Sequence, residues 1–215
     1  MTERVKRRYD NSRRLAATRA TKAHVVDVAR ELFVDQGYPG TTISQIAQRS
    51  GTPEATLYRL FGSKRGVLKE VLDVAIGGDD EPIEYQRRPG VQAAFASGTP
   101  DEMLDAFAHL ACLVLRRSAP LLNVLMSSAG VDPEAAEMLA VSRQQRRTGQ
   151  SRIVRALARG GHLREGLSSA AASDIVYAVM SPEVFRILTV ERSWSEARYE
   201  RWLASTLRAQ LLRDA

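Results

Sequence analysis

An all-α chain, with a helix-turn-helix head of three or four helices followed by a larger helical domain, is what this sequence predicts. Three observations carry the prediction. The segment Thr42 to Lys64 spells two short helices around a glycine, positive charge is gathered ahead of it, and apolar residues recur at helical spacing from Thr99 onward.

Residues 1 to 30 hold nine basic and three acidic side chains, a net charge of +6 that equals the formal charge of the whole chain. Residues 1–19 therefore read as a basic arm able to neutralise phosphates, although a solvated tail would have the same composition. Val25, Val28, Ala29, Leu32 and Phe33 then make an amphipathic stripe that Gln36-Gly37 ends. Thr42 is placed to cap a helix burying Ile43, Ile46 and Ala47, and Gly51 supplies the left-handed residue that stops it after Ser50. Thr52 is expected to cap the next helix, with Pro53 at its first position, where the missing N–H costs nothing. Leu57, Leu60 and Phe61 form its inward stripe. That leaves Glu54, Ala55, Thr56, Tyr58 and Arg59 outward, a set small and polar enough to approach base edges and phosphates in a major groove. An ordinary helical hairpin in a core would need the same glycine and stripe, so the adjoining charge and the preceding helix favour the DNA-reading alternative. Gly62-Ser63 breaks and caps again, and Lys64 opens a helix with the stripe Val67, Leu68, Val71, Leu72 and Ala75.

The run ELFVDQGYPGTTISQIAQRSGT followed by TLYRLFGSK resembles the TetR family of bacterial transcriptional regulators, over residues 20 to 72. The resemblance implies that Thr42 and Tyr58 contact phosphates, that Lys64 anchors another, and that Thr52, Pro53, Glu54, Thr56 and Arg59 face bases or backbone. Family members often carry a basic residue at Glu54, a glycine at Ala55 and a histidine at Leu60. An acidic Glu54 is suited either to accept from a cytosine N4 amine or to serve the helix dipole.

Gly77 to Gly98 is rich in glycine, proline and charge and reads as a connector packed against the domain. Thr99-Pro100 then caps a helix whose stripe, Met103, Leu104, Phe107, Leu110, Ala111, Val114 and Leu115, is wide enough to make it central. Pro120 is expected to open a shorter helix, and Asp132-Pro133 the longest, running to Gly160-Gly161. Ser168 to Arg192 is interrupted at Ser181-Pro182, which must kink or restart the helix. Ser195 caps the last one, whose face of Tyr199, Trp202, Leu203, Leu207 and Leu211 requires a cover. The family resemblance implies a dimer interface built by the last two helices of each subunit, with docking inside the subunit as the alternative.

No Ser/His/Asp set, paired carboxylates or phosphate loop marks an enzyme, and no cofactor is implied. His24, His109 and His162 stand apart without metal-ligand spacing, so no metal is expected. Cys112 falls within an apolar stripe and reads as a small buried hydrophobe. The basic N-terminus lacks an apolar core and no 18-residue apolar run occurs, so a cytoplasmic location without membrane contact is expected.

The division expected is an arm over residues 1–19, a DNA-binding domain over 20–76 and an effector-binding and dimerisation domain over 77–215. The partners expected are a palindromic double-stranded DNA operator, a second copy of the chain and a small, largely apolar effector. Met103, Phe107, Met126, Met138, Tyr177 and Met180 are the candidate effector lining. The Arg143, Arg146 and Arg147 cluster reads as a solvated face or as a ligand-carboxylate anchor. A ligand-responsive repressor follows. A constitutive DNA-organising dimer, and a helical ligand-binding protein or enzyme with only non-specific nucleic-acid affinity, are the alternatives.

Overall fold

A computed structural model describes residues 2–81, 83–96 and 98–213, with side chains from Ser12 onward. The described residues are helical, and their only strand-like pairing is an antiparallel bridge between Leu163 and Leu212. The chain divides at Val74/Ala75 into two units.

The first unit begins with α1 (Thr2–Gly40). The expected arm is thus the first half of this helix rather than a separate segment. Side chains of Arg4, Lys6, Arg7 and Arg8 lie outside the described residues. The stripe from Val25 to Phe33 is buried as expected. Gly37, at φ 75°, breaks the helix in a conformation only glycine adopts freely, and the chain turns so that Tyr38 enters the core and stacks on Phe33 at 5.8 Å. The Thr41 hydroxyl, fully buried, lies within reach of the Gly37 and Leu32 carbonyls (2.8 and 3.2 Å); the Gly37 carbonyl has lost its usual donor, because the Thr41 N–H goes to the Tyr38 carbonyl instead.

Next comes α2 (Ile43–Ser50). Thr42 caps it in a full capping box: its hydroxyl accepts the Gln45 N–H, and the Gln45 side chain accepts the Thr42 N–H at 2.7 Å. Gly51, at φ 63°, ends the helix in a Schellman motif, with Gly51 N–H on the Gln48 carbonyl and Thr52 N–H on the Ala47 carbonyl. Then follow α3 (Glu54–Phe61) and α4 (Lys64–Gly77), which Ser63 opens by accepting the Gly66 N–H.

The second unit contains α5 (Pro89–Phe95), α6 (Pro100–Ser128), α7 (Pro133–Arg159), α8 (Ser169–Val179), α9 (Pro182–Arg186), a π-helical turn at Ile187–Glu191, and α10 (Glu196–Leu211). As its stripe requires, α6 is central and packs on α5, α7, α9 and α10. The expected break at Pro120 does not occur. Leu115, Ala119, Leu121 and Leu125 are buried on both sides of the proline, and continuous packing outweighs a helix-interior proline that costs about 3 kcal/mol in an isolated helix. By length and hydropathy α6 alone could cross a membrane, but its apolar face is spent on this core.

Three arginines fasten the connector: Arg88 grips Asp79 through two hydrogen bonds (2.6 and 2.9 Å), Arg117 donates to the Ala75 and Ile76 carbonyls, and Arg152 bonds Gln86 while lying over the Phe95 ring. The break between α8 and α9 falls where expected. The chain leaves the helix at Ser181-Pro182 and the Val184 N–H goes to the Ser181 hydroxyl, so carbonyls at the end of α8 need other donors. Arg146 reaches those of Tyr177 and Met180, and Gln150 bonds that of Met180 at 3.1 Å.

One expectation is corrected here. Tyr199, Leu203, Leu207 and Leu211 are fully buried in their own subunit, where α6 covers the apolar face of α10. Only Trp202 of that set stays half-exposed, edge-on to Trp194 and tilted against Tyr199. Ion pairs line the α6–α10 seam: Arg208 with Asp101 and Asp105, and Arg116 with Glu196.

Candidate nucleic-acid interface

The exposed face of α3 is set by the turn that ends α2. A Schellman motif turns the chain so that its second residue past the cap points inward, and that residue is Thr52, 7% exposed. Thr52 therefore neither caps α3 nor faces DNA, contrary to expectation. Pro53 takes the cap position without a side-chain bond, and α3 starts one residue later than expected, at Glu54.

Inward, α3 is held by Leu57, with Leu60 and Phe61 only half-buried. Outward, Pro53, Glu54, Ala55, Tyr58 and Arg59 are exposed and Thr56 is partly so. Tyr58 presents a phenol with half its surface free. Two neighbouring charges are already committed: Arg49 pairs with Glu31 at 2.7 Å, and Lys22 with Glu70 at 2.7 Å. Arg59 is left as the cation on the α3 face, one turn from the acid Glu54.

The expected phosphate ligands Thr42 and Lys64 also serve the fold. Thr42 is exposed, yet its hydroxyl both accepts from the Gln45 N–H and lies 3.0 Å from the Gln45 side-chain oxygen. Lys64 donates to the Tyr38 carbonyl at 2.9 Å and stands 4.0 Å from the centre of the Tyr38 ring. An ammonium has three donors, so the carbonyl and the ring leave Lys64 able to reach a phosphate as well.

Gly66 is a positioning residue that the sequence pattern hides. A Cβ there would lie 1.8 Å from the Phe61 carbonyl oxygen, so the first turn of α4 rests directly on the backbone end of α3. Thr41 and Gln45 are likewise visible only in the structure; Gln45 bonds Gln36 as well as Thr42 and so ties α2 to α1.

The six residues expected to line an effector pocket do not converge on one cavity. Met126 lines an open cleft between α6, α7 and α9. Tyr177 lies next to it, under the Arg146 guanidinium at 3.8 Å, and Met180 contributes its carbonyl to the same arginine. Met103 and Phe107 are packed in the core cluster, Phe107 edge-on to Phe95, and Met138 is buried. Among the described residues, no group of three or more His, Cys, Asp or Glu side chains is placed to hold a metal ion.

Residues 25–71, from the α1 stripe through α4, match the family model for bacterial regulatory proteins of the tetR family. Over 93 residues the chain is 39% identical to the uncharacterized HTH-type transcriptional regulator TtgW of Pseudomonas putida, covering 42% of this chain and 66% of the relative. Over 72 residues it is 32% identical to the HTH-type transcriptional regulator AcrR of Shigella flexneri, covering 33% of this chain and 34% of that one. The chain thus spans less than two thirds of the curated relatives it matches.

Likeness in fold extends further. NalD, the secondary repressor of the MexAB-OprM multidrug efflux pump in Pseudomonas aeruginosa, superimposes with a TM-score of 0.67 at 19% identity, covering 92% of this chain and 100% of the other. SmeT in complex with triclosan gives 0.66 at 19% identity, covering 91% and 93%. The sequence relatives are named as transcriptional regulators, not enzymes. The family model thus falls on the helices that form the head, where residues 25–71 are similar to bacterial regulatory proteins of the tetR family, and each of the two units shares the fold of the solved proteins SmeT and NalD.

Proposed function

We propose that this protein is a ligand-responsive repressor that binds a palindromic DNA operator as a homodimer. The observation that carries this reading is the exposed face of α3, where Glu54, Ala55, Tyr58 and Arg59 stand outward beyond a Schellman turn within the region matched by the family model. Tyr58, Thr42 and Lys64 take phosphates, while Glu54, Thr56 and Arg59 read base edges. The basic first half of α1 adds sequence-independent attraction. Operator binding places the protein in the cytoplasm with the chromosome.

Two copies join through the outer faces of α8 and α10, not through the face buried on α6. Those outer faces carry small residues, Ala171 and Ala178 on α8 and Ala197 and Ser205 on α10, which allow close approach. Between them stand Asp174 and Arg201, exposed and of opposite charge, suited to pair across a two-fold axis. A ligand in the C-terminal unit then favours a conformation in which the two recognition helices no longer fit successive major grooves. Turning a 1:99 equilibrium into 99:1 needs a preference of about 5.5 kcal/mol for the released state. That a structural neighbour is described in complex with triclosan supports a sensing role for the unit.

The test is fluorescence anisotropy on a palindromic duplex from the protein's own genomic binding sites. Affinity should fall steeply with salt, and the slope should flatten when residues 1–19 are removed. Lys64→Ala should weaken all sequences alike, and Glu54→Ala should lower discrimination at its contacted base by about 1–3 kcal/mol. Equal losses on specific and random duplexes for Glu54→Ala would refute its base-reading role, and a Lys64→Ala loss confined to the specific duplex would refute its phosphate role.

A further inference from the structure

The cleft between α6, α7 and α9 is shallow, enclosing about 20 Å³ and otherwise open to solvent, and it has two unlike walls. Leu122, Met126 and Leu139 make one wall apolar, while Arg143, Arg146 and Glu183 bring three formal charges to the other. Arg146 and Glu183 carry opposite charges in one cleft, yet they do not approach within ion-pair distance of each other. One carboxylate oxygen of Glu183 is sealed from solvent and accepts no hydrogen bond. A buried acceptor left without a donor is costly, and native structures seldom tolerate it without a reason.

Arg146 has a structural duty, and it is loosely held. Its two bonds to the Tyr177 and Met180 carbonyls are 3.4 Å long, at the weak end of the range, whereas the Gln150 bond to the same Met180 carbonyl is shorter, at 3.1 Å. An anion offered at the cleft would be a better acceptor than either neutral carbonyl. Arg143, one turn earlier on α7, has an exposed guanidinium at the same opening.

We propose that this cleft is the effector site and that its ligand is a small molecule with an apolar body and a polar end carrying an acidic group beside a hydrogen-bond donor, as in a zwitterionic amino acid with a large apolar side chain. The proposal rests on reading the C-terminal unit as a sensing domain. The acidic group bridges Arg143 and Arg146, the donor pairs with the Glu183 carboxylate as that side chain turns its sealed oxygen to the cleft, and the body lies on Leu122, Met126 and Leu139. A ligand carrying only the acid would meet the arginines but leave Glu183 unsatisfied and repelling it. One carrying only the cation would meet Glu183 against two guanidiniums. Because Arg146 must turn from the carbonyls at the end of α8 to take the acid, occupancy is linked to the break between α8 and α9.

Three probes sharing a phenyl body separate these cases: phenylalanine, 3-phenylpropanoate and phenethylamine, each titrated calorimetrically into the full-length protein. Phenylalanine should bind about tenfold more tightly than either of the others, the size of one charge-assisted hydrogen bond. Arg143→Ala, on an exposed side chain, should weaken phenylalanine and phenylpropanoate by about tenfold each and spare phenethylamine. Glu183→Gln, which keeps the shape of the side chain, should bring phenylalanine close to phenylpropanoate. The ligand class is overturned if no probe binds at millimolar concentration, if the amine binds best, or if neither substitution changes the order of the probes. Circular dichroism and duplex binding of each variant report its folding. A protein that binds its duplex and takes none of the probes overturns this proposal and leaves the regulator reading standing, whereas one that takes phenylalanine and no duplex does the reverse.

Discussion

Gly66→Ala tests how the recognition helix is aimed. The added Cβ would lie 1.8 Å from the Phe61 carbonyl oxygen and 2.9 Å from its carbon, whereas Cβ contacts under 3.0 Å essentially do not occur. The end of α3 and the start of α4 must therefore separate by about 1.2 Å. Neither side yields easily, because both are backbone and the Gly66 N–H is held by Ser63 at 3.1 Å. Alanine in a helix is otherwise favoured over glycine by about 1 kcal/mol, while overpacking costs about 1–3 kcal/mol; with backbone on both sides the upper end applies, leaving a net loss of about 2 kcal/mol. Moving α3 by an ångström also takes one or more base contacts out of range, a further loss of about 1–3 kcal/mol in operator binding. Gly149→Ala in the middle of α7 is the control, since no atom lies within 4 Å of its Cβ and it should gain up to about 1 kcal/mol. Urea unfolding followed by amide exchange in α2 to α4, with anisotropy on the operator duplex, reads both effects. If Gly66→Ala matches the parent in both, or the two substitutions shift stability in the same direction, the close approach of α3 and α4 does not govern the head.

Leu203→Glu should unfold the C-terminal unit, because it forces a charge onto a fully buried face, whereas Asp174→Arg should leave the fold intact and yield monomers in sedimentation; a folded Leu203→Glu dimer would contradict the burial. Arg117→Ala should strand the Ala75 and Ile76 carbonyls and cost about 1–3 kcal/mol, with faster amide exchange nearby, and Arg117→Lys should recover only part of it because an ammonium offers its donors from one nitrogen and does not reproduce the fixed spacing of Nε and Nη2; full recovery by lysine would deny the role of that fork. Burial, aided by the Glu200 and Glu196 carboxylates, pushes the Cys112 thiol from 9.0 up to about 11, and burial raises the Tyr199 phenol as well. The unfolded thiol loses its proton first as pH rises, so the stability from the protonated native thiol is complete below pH 9 and is lost as pH rises through 11. Unfolding curves between neutral pH and pH 11 should show that decline, and iodoacetamide should label Cys112 only as fast as the unit unfolds; rapid labelling of folded protein at neutral pH would contradict it.

Local chemistry was legible in the sequence, and the covering of surfaces was not. Thr42, Thr99, Asp132, Ser168 and Ser195 all cap helices where their neighbours suggest, because a cap is settled within four residues. The exception is Thr52, whose N–H is claimed by Ala47 one turn back in the Schellman motif, so a good capping residue is turned inward. Pro120 misleads for the opposite reason: its local penalty is real, but burial summed over many turns of α6 exceeds it. The stripe on α10 identifies an apolar face and carries no information about whether α6 or a second subunit lies against it. In the candidate pocket, methionine and aromatic composition predicted a lining, but Met103, Phe107 and Met180 go to the core cluster, and the charged residues of α7 and α9 shape the opening instead. Gly66 gave no signal at all, since a close approach between two backbones leaves no mark on hydropathy.

The contact from Lys64 to the Tyr38 carbonyl fastens the first residue of α4 to the chain just past the break in α1. The segment between them, which includes the whole of α2 and α3, is therefore a closed loop whose ends are pinned by a side chain rather than by the strand of the chain alone. Neither short helix can fray independently of that clasp, and together with the capping box and the Gly66 contact it makes the reading surface a single opening unit in the sense of native-state exchange. On the proposed reading, a phosphate that recruits Lys64 would pull on the same clasp, so contact with the DNA backbone and the rigidity of α3 would both rest on one ammonium group.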